Sequence, residues 1–150
     1  MPSLLPSSVL FCCDHNTIRS PMAEGLLKQQ HGTKIFVQSV GVRGGSEIDG
    51  FAIAVCREIG VELHRHKTRS FDDFEDWGDD LGSYDLVVAL SPASLRRALE
   101  YTRYLSFEVE YWPTMDPVGL GESREAKLES YRQVRDQIKE KILERFPPDG

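Results

Sequence analysis

The sequence predicts an α/β protein in which a parallel β-sheet is covered by helices. Four short apolar segments along the 150-residue chain are typical of buried strands, and segments with helical patterning lie between them. Alternation of strands with helices favours parallel pairing, because two parallel strands need a crossover connection that is usually a helix. The length suits one domain with a substantial core, so we expect residues 1–150 to form a single domain.

The four predicted strands are short apolar runs, bounded by polar residues or glycine. They span residues 7–13, 34–41, 84–91 and 107–113. The first and third consist almost entirely of apolar residues, which is the pattern of a strand buried on both faces. Both are therefore expected to be buried strands.

The predicted helices span residues 20–32, 49–60, 91–105 and 123–146. In the first, Ser20 is the expected N-cap, Pro21 suits the first helical position and Gly32 ends the helix. The last is long and places a row of apolar side chains near one face: Leu128, Tyr131, Val134, Ile138 and Ile142. The acidic stretch 71–80 is expected to form a solvated turn or a short helix.

Composition and charge exclude several classes of function. The formal net charge of −6 argues against a nucleic-acid partner or an anionic membrane surface. The N-terminus lacks a basic region, and no apolar stretch approaches the ~20 residues that span a bilayer. Three cysteines, two of them adjacent, do not form a disulfide framework, so we expect a cytoplasmic protein. We expect no metal, since Cys12 and Cys13 would face opposite sides of a strand.

The junction between the first strand and the first helix has the composition of an oxyanion site. Cys13 ends the strand, and Arg19 follows after five residues. If the five residues curve into a semicircle, their N–H groups converge beside a helix N-terminus, which favours anions. Arg19 can bind two oxygens of a tetrahedral oxyanion, and the same field stabilises the thiolate form of Cys13. The pattern therefore predicts a thiolate aimed at a bound oxyanion.

Residues 9–25, VLFCCDHNTIRSPMAEG, resemble the phosphate-binding loop of the low-molecular-weight protein tyrosine phosphatases. The similarity continues through residues 39–42, 54–69, 84–99 and 116–117, and so extends over nearly the whole chain. It implies a three-layer sandwich in which helices flank a four-stranded parallel sheet, with the phosphate-binding loop after the first strand. It also implies that the protein uses no metal or organic cofactor.

The resemblance also implies a role for individual residues. Cys13 is the expected nucleophile, Arg19 binds the phosphoryl oxygens, and Asp116, before Pro117, is the general acid. The substrate-binding loop is expected to consist of Asp14, His15, Asn16, Thr17, Ile18 and Ser20. Within it, Asn16 resembles the residue that holds the loop in its strained shape, and Ser20 the residue whose hydroxyl donates to the thiolate. Ser39 and His66 match positions that support the loop.

The expected activity is hydrolysis of phosphate monoesters through a phosphocysteine intermediate. The expected partner is a phosphorylated protein, in particular one carrying phosphotyrosine, or a small phosphate ester, and we expect a monomer or a weak homodimer. Three alternatives stay open: a phosphoarginine phosphatase, an arsenate reductase that uses an external thiol, and a phospho-ligand binding module without catalysis. Residues 84–99 lack the further cysteines with which thiol-coupled arsenate reductases release arsenite, and Cys56 lies in another segment. Binding alone would need neither nucleophile nor acid.

The sequence departs from the family pattern around the loop. Asp14 and His15 replace an uncharged residue and a glycine, and a carboxylate at position 14 would oppose a phosphate dianion unless it pairs with a base. His15 is the expected base, or else contacts the substrate. Aromatic pocket walls are missing after Pro117, and Trp112 and Phe51 are the candidates to replace them.

Overall fold

The described residues form a sheet of four parallel strands, as predicted. The computed structural model describes residues 5–45, 47–78 and 80–148. The strands are β1 (Ser8–Cys13), β2 (Phe36–Gly41), β3 (Leu86–Ala89) and β4 (Glu108–Tyr111). In the sheet they lie in the order β2-β1-β3-β4. Each lies within its predicted segment and is one or two residues shorter at one or both ends.

Strand β1 is central, and all six of its residues are buried. Alternate side chains enter the two layers that sandwich the sheet. Phe11 and Cys13 lie in one layer, whereas Leu10 and Cys12 lie in the other. The two adjacent cysteines therefore face opposite sides, as the sequence predicts.

Five helices cover the sheet. They are α1 (Arg19–His31), α2 (Gly50–Arg57), α3 (Phe71–Asp76), α4 (Pro92–Tyr101) and α5 (Arg124–Arg145). Helices α1, α2 and α5 pack over the layer that contains Cys13, and α3 and α4 cover the opposite face. The five apolar residues predicted for one face of α5 are all buried. No helix in the described ranges is long and apolar enough to cross a membrane.

Two local predictions need correction or refinement. Ser20 does not cap α1: the helix begins one residue earlier, and no side chain caps it. The acidic stretch 71–80 contains the short helix α3, and it is not simply solvated, because Phe71 and Phe74 are buried beneath it. Ser70 and Asp73 form a capping box that starts this helix.

Candidate active site

Cys13 lies at the floor of a loop, residues 14–18, that connects the carboxyl end of β1 to α1. Its side chain is buried, with 2% of the residue exposed, and its Sγ lies 3.0 Å from Ser20 Oγ. The Ser20 hydroxyl, expected to cap α1, thus contacts the Cys13 sulfur beneath the loop instead. In an open α/β sheet, this end of the strands is where ligands bind.

The carbonyl groups of the loop point outward. The carbonyl oxygens of Cys13, Asp14, His15 and Thr17 each accept an N–H from the segment 42–49, at 2.9–3.1 Å. All described peptide bonds are trans, so the N–H of each of these peptides points the opposite way, towards the inside of the loop. The outer hydrogen bonds therefore aim a set of N–H donors at one place, which suits an anion.

A glycine at the end of β2 allows the loop to sit this close to the sheet. A Cβ atom on Gly41 would lie 2.7 Å from Asn16 N and from the carbonyl carbon of His15. Real Cβ contacts of that length are essentially not found, so a side chain here would push the loop out of place.

Asn16 is the hydrogen-bonding centre under the loop. It is fully buried and has a positive φ of 60°, a conformation that asparagine tolerates better than most residues. Its Nδ2 donates to Ser20 Oγ at 2.8 Å and to Ser39 Oγ at 2.9 Å. Its Oδ1 accepts from His66 Nε2 at 2.9 Å and from the Arg69 backbone N–H at 3.0 Å. Its side chain thus braces the loop from below.

Below Asn16 and Ser39 lies the buried carboxylate of Glu24, for which the sequence predicts no role in the site. Glu24 Oε1 accepts from Ser39 Oγ at 2.6 Å, and Glu24 Oε2 pairs with Lys28 at 2.5 Å. His66 Nδ1 lies 3.9 Å from Glu24 Oε1. Burial lowers the pKa of His66, and the cations Arg69 and Lys28 lower it further, although Glu24 opposes them. These contacts favour a neutral His66 that donates to Asn16.

Arg19 lies at the edge of the loop with both terminal nitrogens engaged. Its Nη1 donates to the Thr114 carbonyl oxygen at 2.9 Å, and its Nη2 donates to Asp14 Oδ2 at 3.1 Å. Only 7% of its side chain is exposed, so the guanidinium is held in one orientation. The base that pairs with Asp14 is therefore Arg19 and not His15, which is exposed.

The remaining loop residues differ in what they offer a ligand. Ile18 is buried in the core beneath the loop, so only its backbone faces the site. Thr17 is half-buried, and its carbonyl oxygen accepts the N–H of Asp49.

Asp116 lies on a loop that the sheet and Arg19 hold in place. Trp112 N donates to Ala89 O at 2.8 Å, and Arg19 binds Thr114 two residues before Asp116. The Asp116 side chain is exposed, and its Oδ1 accepts from Val118 N at 3.0 Å. The carboxylate thus lies on the segment that contacts Arg19.

Beside the loop, a hydrogen bond joins α5 to the residue that caps α2. Tyr131 Oη donates to Asp49 Oδ2 at 3.0 Å, and Oδ1 of the same carboxylate caps α2. Burial raises the pKa of Tyr131, and Asp49 and Asp116 add to this effect. Asp116 and Asp49 are therefore both close enough to Tyr131 to influence it. No local sequence signal indicates a contact between residues so far apart in the chain.

The aromatic walls suggested by the sequence are arranged differently. Trp112 is 6% exposed and packs against Phe11 and Phe146 in the core, so it does not line a pocket. Phe51 is half-buried and packs against Tyr131, with a ring-centroid distance of 5.3 Å.

The other two cysteines are unsuited to react. Cys12 is fully buried, and burial raises its pKa far above the usual value for a thiol. Burial also raises the pKa of Cys56 to about 12. All three cysteines are free, and no group of three potential metal ligands occurs among the described residues.

Comparison with known proteins agrees with this geometry. Residues 8–146 match the family model described as low molecular weight phosphotyrosine protein phosphatase. The glutaredoxin arsenate reductase of Synechocystis sp. is 33% identical over 134 residues, which cover 89% of this chain and 92% of that protein. The protein-arginine-phosphatase of Geobacillus stearothermophilus is 28% identical and covers 95% of each chain.

A similar solved structure, described as an arsenate reductase in the phosphate binding state, superimposes with a TM-score of 0.73 at 29% identity. The match covers 91% of this chain and 94% of that one. The family match extends over nearly all of the described residues, including both β1 and α5. This chain therefore belongs to the low molecular weight phosphotyrosine protein phosphatase family.

Proposed function

We propose that this protein is a cytoplasmic, cysteine-dependent phosphatase that hydrolyses phosphate monoesters, with protein phosphotyrosine as its expected substrate. The observation that carries the proposal is the placement of Cys13 Sγ at the floor of a loop whose N–H groups point inward and whose edge holds Arg19. This arrangement offers donors to the oxygens of a tetrahedral anion and a sulfur nucleophile to its centre.

In the first step, the Cys13 thiolate attacks phosphorus and the bond to the leaving oxygen breaks. The Ser20 hydroxyl, whose Oγ lies 3.0 Å from Sγ, donates a hydrogen bond to the thiolate and holds the sulfur in line. Arg19 and the loop N–H groups bind the three equatorial oxygens. Asp116 gives its proton to the departing oxygen, which lies on the side opposite to the sulfur.

In the second step, water attacks the phosphocysteine. Asp116, now a carboxylate, takes a proton from this water, and the bond between sulfur and phosphorus breaks. Inorganic phosphate leaves, Cys13 returns to the thiolate, and Asp116 is protonated again. The cycle needs only the ester and water, and it uses the same loop donors twice.

Arsenate reduction is the second candidate, because the relative from Synechocystis is named as a glutaredoxin arsenate reductase. In that reaction, Cys13 would attack arsenic, and a second thiol would attack the Cys13 sulfur, releasing arsenite and forming a disulfide. Cys12 and Cys56 are buried, and their raised pKa values disfavour thiolates. The second thiol would therefore be external.

Parallel assays of the two reactions decide between these candidates. The purified protein is incubated with an aryl phosphate, and separately with arsenate plus glutathione and glutaredoxin. Hydrolysis without added thiol, lost in Cys13→Ser and retained in Cys56→Ala, is the expected result. Arsenite production without measurable ester hydrolysis would replace the first candidate with the second.

A further inference from the structure

Asp14 places a negative charge inside a loop that otherwise suits an anion. Its Oδ2 lies 3.1 Å from Arg19 Nη2, and 38% of its side chain is exposed, compared with 7% for Arg19. Cys13, the preceding residue, is 2% exposed. The carboxylate is thus more open to solvent than the Cys13 sulfur and the guanidinium with which it pairs.

This carboxylate affects a phosphoryl group in two ways. It accepts a hydrogen bond from Arg19 Nη2 that an oxyanion would otherwise accept. Because the carboxylate lies so close to Arg19, its negative charge also repels a phosphoryl dianion bound there. Both effects weaken the binding of inorganic phosphate and of esters whose only charge is on the phosphoryl group.

The charge of the same carboxylate also acts on the leaving group. An attack by Cys13 from the floor requires the leaving group to point away from the sulfur, towards the mouth. The Asp14 carboxylate is partly open to solvent, and its ion pair with Arg19 holds its charge beside the residue that would bind the phosphoryl oxygens. A positive charge on the leaving group would therefore be attracted to Asp14, whereas a neutral leaving group would gain nothing from it.

We propose that Asp14 is a specificity-determining residue that selects phosphoryl groups carried by a cationic leaving group. The inference rests on the proposed phosphatase function and names the substrate class of the same site. A phosphotyrosine that has a lysine or arginine side chain close to its phosphoryl group has the required chemistry. The negative charge of Asp14 disfavours free phosphate, which also helps the product to leave.

The test uses two aryl esters that differ in charge: 4-(aminomethyl)phenyl phosphate and 4-methylphenyl phosphate. They are hydrolysed by the wild type, by Asp14→Asn and by Asp72→Asn at low ionic strength. Asparagine keeps an oxygen that can accept from Arg19 but removes the charge. Asp72 is a matched control, because it also pairs with an arginine, at 2.6 Å from Arg97, and lies outside the loop and its hydrogen-bond partners.

The kcat/KM ratio of the cationic to the neutral ester should fall about tenfold in Asp14→Asn and stay unchanged in Asp72→Asn. Inorganic phosphate should bind about tenfold more tightly to Asp14→Asn. An equal change in kcat/KM for both esters would overturn the proposal, because Asp14 would then only position Arg19. No change in kcat/KM for either ester would overturn it as well.

Binding measurements on Cys13→Ser variants test the role of Asp14 independently of the proposed phosphatase activity. Cys13→Ser, alone and combined with Asp14→Asn, is titrated with each ester by calorimetry. If the wild type hydrolyses neither ester, the phosphatase proposal fails, and the ratio of the two dissociation constants still tests the role of Asp14. A ratio that does not depend on residue 14 refutes that role, whatever the wild type catalyses.

Discussion

Replacement of Asn16 by alanine should destabilise the protein strongly and open the loop. The side chain makes four hydrogen bonds, to Ser20, Ser39, His66 and the backbone of Arg69, and it is fully buried. The residue also has a φ of 60°, which alanine adopts less readily than asparagine.

The cost follows from these contacts. Each hydrogen bond contributes about 0.5–1.5 kcal/mol, so four contribute roughly 2–6 kcal/mol. The positive φ adds about 1 kcal/mol for alanine. We therefore expect a loss of about 5 kcal/mol in the free energy of unfolding, a large share of the roughly 5–15 kcal/mol of a typical domain.

Urea unfolding and phosphate titration measure both consequences. Asn16→Gly loses the same hydrogen bonds without the backbone strain, and it should be about 1 kcal/mol more stable than Asn16→Ala. Ser39→Ala removes two hydrogen bonds, one to Asn16 and one to Glu24, against four for the Asn16 variants, and should cost less than either. A loss below ~1 kcal/mol in Asn16→Ala, with unchanged phosphate affinity, would refute the role of Asn16 as the support of the loop.

Three further predictions concern other parts of the site. Arg19→Lys should lower kcat/KM for an aryl phosphate by ~10² or more, because an ammonium cannot replace a planar two-donor fork; near-wild-type steady-state kinetics would contradict this. In Asp116→Asn, stopped-flow rates of ester cleavage should fall most, by ~10²–10⁴, for the most basic leaving groups; a uniform loss would mean that Asp116 only holds its turn. Burial lowers the pKa of His66 below its usual 6.5, so the unfolded chain binds the proton more readily and the free energy of unfolding should fall as pH drops below about 6.5. Urea unfolding should show a shallower pH dependence in His66→Gln, and an identical slope would contradict the assignment.

The parts of the fold that depend on neighbouring residues could be predicted from the sequence. Continuous apolar runs identify β1 and β3, and the period of apolar residues identifies the buried face of α5. The spacing from Cys13 to Arg19 lies within one loop, so its shape follows from a short segment whose ends are fixed by a strand and a helix.

The local pattern does not predict the supports of the site, and Asn16, Ser39 and His66 were expected in that role only from the resemblance. Asn16 binds Ser39, His66 and Arg69, which are 23, 50 and 53 residues further along the chain. These contacts arise because the carboxyl ends of several strands meet at one edge of the sheet, and the local pattern does not say which side chains meet there. Trp112 shows the same limit, since only the packing of β1 against the C-terminal residues explains why it is buried.

Direct detection of a covalent phosphate on Cys13 tests the central proposal of this account. The protein is mixed with a ³²P-labelled aryl phosphate, quenched with acid within milliseconds and digested for peptide mapping. We expect labelling that approaches one phosphate per protein, on the peptide that contains Cys13, with a burst of the phenol of equal size. Cys13→Ser should bind phosphate but take up no label. Hydrolysis that proceeds without this label, or with the label on another residue, would contradict the proposed mechanism.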